Sequence, residues 1–321
     1  MHDSCGQALL VDSRSTNTGS GRHSMAAMET NRHPWRGVAL VLAAALLWGT
    51  TGTAQSFAPP TLASVWVGAL RLIVAAVFFG VLLLLVERRL PHGLPWAGVA
   101  AAAACMTAYN LAFFAGVRAR GVAVGTAIAL GSGPLWAGLL QALVLGRRPS
   151  SAWWAGTAVA VAGGAALVAG AGSGPALSAA GIGLCLTAGF SYAVYALVNQ
   201  RLVARAAPAP VTAAIFMAAA LMALPLAAAL AGPPALAARD LLIVGWLGVM
   251  STGVAYLLLS HALRHVSGAT AVALALAEPV TAFVLALAVV GERPAPLAFA
   301  GLAAVLAGLA VVVRAELRES T

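Results

Sequence analysis

Glu278 stands directly before Pro279 inside an apolar run, 268–290, that contains no other acid. An ionised carboxylate in hydrocarbon is costly, so such a group must face a cavity, pair with a cation or carry a proton. Pro279 lacks an N–H and clashes with the carbonyl four residues back, leaving acceptors exposed at the same depth. A carboxylate beside freed carbonyls suits a proton or an ammonium group; a neutral, hydrogen-bonded structural glutamic acid is the plainer alternative. Arg71 is the matching cation, about ten residues into another apolar run. Its fork can hold a substrate carboxylate, neutralise Glu278, or reach for the surface along a tilted helix. Pro134 sits in the middle of a third run. Trp48, Tyr109, Tyr192 and Tyr256 each join an apolar ring to one polar atom, which fits an amphipathic solute as well as ordinary packing. Asn110 is the polar point most worth testing for cavity exposure. Gln141, Asn199 and Gln200 read as helix–helix hydrogen bonds, and His261 and His265 as loop histidines with no special role, ahead of a pH-reporting pair.

The elements that must place these residues are membrane helices. Hydrophobic residues make up 61% of the chain and charged ones 8%, and the mean hydropathy is +0.94. That is too little charge for a water-exposed surface. Roughly 20 apolar residues cross a hydrocarbon core about 30 Å thick. Spans are expected at 37–56, 62–86, 96–116, 122–145 and 152–171, then 181–201, 209–231, 241–262, 268–290 and 297–313. The separators carry breakers: Pro59-Pro60, Pro91, Gly121, Gly172 to Pro175 and Gly232-Pro233-Pro234. Trp96, Trp153 and Trp154 fall at span ends, where indoles anchor at the membrane surface.

The spans form two copies. Gly133-Pro134-Leu135 is followed by Gly146-Arg147-Arg148-Pro149; Glu278-Pro279-Val280 is followed by Gly291-Glu292-Arg293-Pro294. Equivalent positions, such as 134 and 279, lie 145 apart, and Gly156 and Gly163 continue the register to Gly301 and Gly308. Trp48 and Tyr192 are approximate mates. Five spans per copy is odd, so the copies cross the bilayer in opposite senses, a plan shared by many secondary transporters. Interrupted helices at matching positions, here Pro134 and Pro279, point to the binding site of such proteins. Glycines seven residues apart lie on one helix face, so the fifth and tenth spans should pack closely.

All 18 basic side chains are arginines, and the net charge is +9. With both termini in the cytoplasm, thirteen of them fall inside (14, 22, 32, 36, 88, 89, 147, 148, 201, 205, 264, 314 and 318) and four outside (118, 120, 239 and 293). The Arg-to-Glu change between the Gly146 and Gly291 turns follows this bias. Scattered in loops and tails, the arginines are no nucleic-acid footprint. A chain without lysine has no phosphate-binding P-loop, so energy must come from a gradient, about 2.3 kcal/mol per charge per 100 mV. Cys105 and Cys185 lie in spans as packing residues and Cys5 in the tail; no disulfide framework, metal site or cofactor is expected. Residues 1–36 read as a polar disordered tail, with Met25 or Met28 as alternative starts and a signal peptide less favoured.

The chain resembles the drug/metabolite transporter superfamily, specifically bacterial EamA-type ten-helix exporters, over residues 37–313. The resemblance rests on Leu46-Leu47-Trp48-Gly49, Leu70-Arg71, the Pro134 and Pro279 helices with their Gly-x-Arg-Pro turns, Phe190-Ser191-Tyr192-Ala193, and Ala262 to Ser267. Arg147 stands where that family usually has Glu. The expected fold is all-α integral membrane, ten transmembrane helices as two inverted repeats (37–171 and 181–313), with a short cytoplasmic tail at 314–321. The resemblance implies proton-linked or exchange transport of small metabolites such as amino acids, amines or carboxylates across the bacterial inner membrane. Expected partners are that solute and lipid, with no nucleic acid, as a monomer or homodimer. An integral-membrane enzyme acting on lipids, or a channel or structural protein, are the competing classes. Neither an Asp-rich motif, a Gly-x-Ser-x-Gly turn nor a His/Glu metal pair supports the enzyme.

Overall fold

The computed structural model describes residues 33–57, 62–87, 93–120, 122–169, 179–291 and 294–319. The tail readings (Cys5, Met25, Met28), the breakers Pro59-Pro60, Pro91, Gly121 and Gly172 to Pro175, Arg88, Arg89 and the Glu292-Arg293 pair lie outside the described residues. Among those described there are ten membrane helices and no strand. They are α1 Pro34–Ser56, α2 Ser64–Leu82 with a wide turn Leu83–Glu87, α3 Trp96–Arg120, α4 Val122–Val144 and α5 Ser151–Ala169. The second set is α6 Ala179–Val203, α7 Pro208–Ala231, α8 Ala238–Ala262, α9 Gly268–Val289 and α10 Pro296–Glu319. Nine are long and apolar enough to cross a membrane. The tenth, α5, has 19 residues, roughly 28 Å at 1.5 Å each. In lipid a backbone must satisfy its own polar groups, which is why these runs are helical.

Helix pairing follows a two-fold pattern. α3 packs on α6, and its mates α8 and α1 pack together; α4–α6 is matched by α9–α1, and α3–α7 by α8–α2. The α2–α7 and α5–α10 pairs join mates to each other, as elements on the pseudo-axis must. Gly146 and Gly291 both adopt positive φ, 65° and 77°, closing equivalent turns where a side chain would be strained. The α5–α10 seam has backbone against backbone. A Cβ on Gly156 would lie 2.8 Å from the Gly308 carbonyl, and one on Gly163 2.8 Å from that of Gly301. The sides facing away from the bundle carry exposed leucines such as Leu84, Leu143, Leu221 and Leu242.

Three expectations are corrected. α10 continues through Glu319, so residues 314–319 are helical rather than a tail; Glu316 on this last stretch is buried among protein groups. α1 starts at Pro34, within the stretch read as tail. Trp153 is not an interfacial anchor: it is buried, edge-on to Trp154 at 5.0 Å, and both rings fill the space left by Gly138 of α4. Trp96, at the start of α3, is exposed as an anchor would be.

Candidate functional site

The centre is built where α9 and α8 depart from regular geometry. α9 runs as Gly268–Leu274, a tight 3-10 turn Ala275–Ala277, and Glu278–Leu285. The break falls just ahead of Pro279, as the missing N–H requires. Glu278 opens the second segment and is half-buried. No residue from Glu278 to Leu285 is buried, whereas all seven from Gly268 to Leu274 are. Gly49 of α1 admits this segment closely: a Cβ there would sit 2.9 Å from the Glu278 carbonyl oxygen.

In α8 a wide turn, Val249–Val254, frees carbonyls that a regular helix would pair. Thr252 answers one, its hydroxyl donating to the Leu247 carbonyl at 2.8 Å. That turn also captures Arg71 of α2, which is buried. Arg71 Nε donates to Thr252 Oγ1 at 2.8 Å and its terminal nitrogen to the Ser251 carbonyl at 3.4 Å. Phe114 lies against the guanidinium, 5.6 Å from centroid to Cζ. The Ser251 and Thr51 hydroxyls, 2.8 Å apart, extend the network to α1. Arg71 thus acts on Glu278 through space, while its hydrogen bonds go to α8.

The four tyrosines of the chain come together with Trp48. Trp48 meets Tyr192 at 6.1 Å and Tyr256 at 5.2 Å; Tyr109 meets Tyr192 at 5.4 Å. Tyr195 joins Tyr256 at 5.7 Å, and Phe216 closes the group at 5.0 Å from Tyr256. Glu278 acts electrostatically on Tyr109 and Tyr192, and Arg71 on Tyr109 and Tyr256, so both charges border this cluster. Tyr195 is pinned by Asn199, whose amide donates to its hydroxyl at 3.1 Å and to Ser260 at 2.9 Å. By contrast the Trp48 indole N–H and the Tyr192 hydroxyl are buried without a hydrogen-bond partner among the described residues. An unpaired buried donor costs about 1–3 kcal/mol, so two at one place mark where a polar ligand group would fit.

Sequence reading named Arg71, Glu278, Trp48, Tyr109, Tyr192 and Tyr256, and all six surround this centre. Asn110 sits apart: buried at the α2–α3 contact, it donates to the Met106 carbonyl of its own helix at 2.9 Å, and its oxygen is unpartnered. The interruption expected at Pro134 is absent, since α4 runs continuously through it, whereas Pro279 does lie at a break. Ser251, Thr252 and Thr51 were missed; a polar doublet inside an otherwise apolar run, 249–254, was the available signal. Outside the spans, His265 approaches His33, with ring centroids 6.0 Å apart. Burial, and after it the charges of Arg36, His33, Arg264 and His261, hold its imidazole below the usual range.

Two inverted five-helix repeats around a polar, aromatic centre define a membrane transport protein. The EamA-like transporter family model matches the chain twice, at residues 35–169 and 179–314, so this chain belongs to that family, within the drug/metabolite transporter superfamily. A Bacillus subtilis (strain 168) protein described as an uncharacterized transporter, YwfM, is 37% identical over 283 residues, 88% of this chain and 95% of its own. A crystal structure of a protein aligns with a TM-score of 0.75 and 21% identity over 89% of this chain and 99% of its own, and shows the same fold.

Proposed function

We propose that this transporter is a secondary carrier that exports a small metabolite carrying an ammonium group, a carboxylate or both, such as an amino acid, across the bacterial inner membrane. The observation behind this reading is the meeting, at one point of an apolar bundle, of Glu278 and Arg71 with the unpartnered Trp48 N–H and Tyr192 hydroxyl. Glu278 attracts the ammonium group or a proton; the two free donors take the carboxylate, with Arg71 acting on the neighbouring Tyr109 and Tyr256. The aromatic rings hold the apolar remainder.

Alternating access moves this centre from one face to the other, driven by a proton gradient or by exchange. The arginine bias supports an orientation with the chain termini and the Ser267 end of α9 in the cytoplasm and the Gly291 end outside. Outward direction follows the resemblance to EamA-type exporters. Purified protein in liposomes, supplied with radiolabelled amino acids and amines, should show saturable flux accelerated by the same solute on the far side. Linear, unsaturable flux would mean a channel. No flux of any solute together with chemical conversion of lipid would mean an enzyme.

A further inference from the structure

The first N–H groups of a helix have no partner within it. At the start of α9 the N–H groups of residues 267–270 are all taken by side chains, and three of the four acceptors sit on or come from other helices. Ser267 N–H donates to Glu316 of α10 at 2.8 Å, Gly268 N–H to Gln200 of α6 at 3.0 Å, and Ala269 N–H to Gln141 of α4 at 3.3 Å. The fourth, from Thr270, goes to Ser267 Oγ at 3.1 Å. Glu316 also accepts from the Ser267 and Thr270 hydroxyls, and Gln200 donates back to the Val266 carbonyl at 3.2 Å. Glu316 and Gln141 are both buried.

This ring lies at the end of the bundle where α9 is fully buried. Beyond the break at Glu278, α9 has no buried residue. The two ends also differ in what they are made of. One repeat length earlier, Ser267, Thr270 and Glu316 correspond to Val122, Gly125 and Ala171; one repeat length later, Gln141 corresponds to Ala286. Of the ring, Gln200 alone has a like mate, Gln55. The Gly291 end therefore lacks the acceptors for an equivalent ring.

We infer that Glu316, Gln200 and Gln141 form a clasp on the first turn of α9 that holds the Ser267 end of the pathway shut, and that releasing it opens that end. The inference rests on the carrier reading, because a clasp matters only where a pathway exists. The three helices that supply acceptors must separate from α9 for access, so each hydrogen bond opposes opening. At the opposite end four of the five mates carry no acceptor side chain, so the sequence offers no equivalent directional lock there.

The test reads accessibility and needs no solute. In a full-length chain with Cys5, Cys105 and Cys185 changed to alanine, Ala273→Cys, fully buried in the first segment of α9, reports the Ser267 end. Thr281→Cys, half-buried beyond the break, reports the other. Sealed membrane vesicles of each orientation are treated with a membrane-impermeant maleimide. Glu316→Ala should raise labelling of residue 273 from the Ser267 side about tenfold and lower labelling of residue 281 from the opposite side. Gln200→Ala, which removes a neutral acceptor, should move both in the same directions and carries the test if Glu316→Ala does not reach the membrane. Unchanged labelling of residue 273, or a rise at both reporters, overturns the clasp. Labelling as expected in a protein that moves no solute would overturn the carrier reading and leave the clasp standing.

Discussion

α4 and α9 hold the same place in the two repeats and carry the same mid-span proline, yet they do different work. Around Pro134 the sequence is Gly131-Ser132-Gly133, and α4 stays continuous. The Ser132 hydroxyl donates to the Ala129 carbonyl at 3.2 Å, and Gly189 of α6 lies against this turn, where a Cβ would be 2.6 Å from the Ala129 carbonyl. Around Pro279 the preceding residue is Glu278, the helix breaks, and the following segment has no buried residue. Gly133 and Glu278 are mates at the 145-residue spacing. Arg71 likewise has an uncharged mate, Phe216, which belongs to the aromatic cluster. Each charge has thus been placed in one copy, while the other keeps a packing residue. An inverted repeat can be symmetric in its backbone and one-sided in its chemistry.

Removing the carboxylate should have the largest effect on this contrast. Glu278→Gln should lower pH-gradient-driven flux in proteoliposomes about a hundredfold, equivalent to roughly 2.7 kcal/mol, with normal insertion into the membrane. Adding Gly133→Glu should not restore it, since that position is packed by Val272 and Tyr192. Recovery in the double variant would show that the copies are interchangeable. Arg71→Met should come next, lowering flux about tenfold, and Arg71→Lys should recover little because its donors sit on one nitrogen, whereas Thr252 and Ser251 are met by two separate guanidinium nitrogens. If the charges act as a pair, Arg71→Met combined with Glu278→Gln should cost less than the two single effects combined. Trp48→Ala should raise the half-saturating solute concentration about fivefold, while Trp154→Ala stays within about twofold; equal small shifts would return Trp48 to packing. The smallest effects are in α4 and its partner. Gly189→Ala should cost about 1–3 kcal/mol in denaturation, and Gly133→Ala less than about 1 kcal/mol, because its Cβ would only touch Val272 at 3.4 Å.

The ten helices were legible because hydrophobic length and Gly/Pro punctuation report directly on the physics of crossing lipid. Two proline-marked segments in register were enough to infer the inverted plan. Glu278, Arg71 and the aromatic residues stood out because polarity inside an apolar run has few explanations. What Arg71 binds was not legible. A wide turn shifts the helical register, and nothing in Val249–Val254 announces it except the Ser251-Thr252 doublet. Glu316 was hidden for the opposite reason: among Arg314, Arg318 and Glu319 it looks like solvated tail, and only the packing of α10 beside α9 buries it. Trp153 misled because a tryptophan at a span end serves an anchor and a filled gap equally well.

The glycine seam between α5 and α10 has a mechanical consequence. Two main chains touching along the pseudo-axis leave no layer of side chains that could slide or change rotamer. Under the carrier reading, that pair should serve as the stator of the molecule. On that reading the rest of the bundle turns around it, and the irregular stretches of α2, α8 and α9 are where the compliance for such motion is expected.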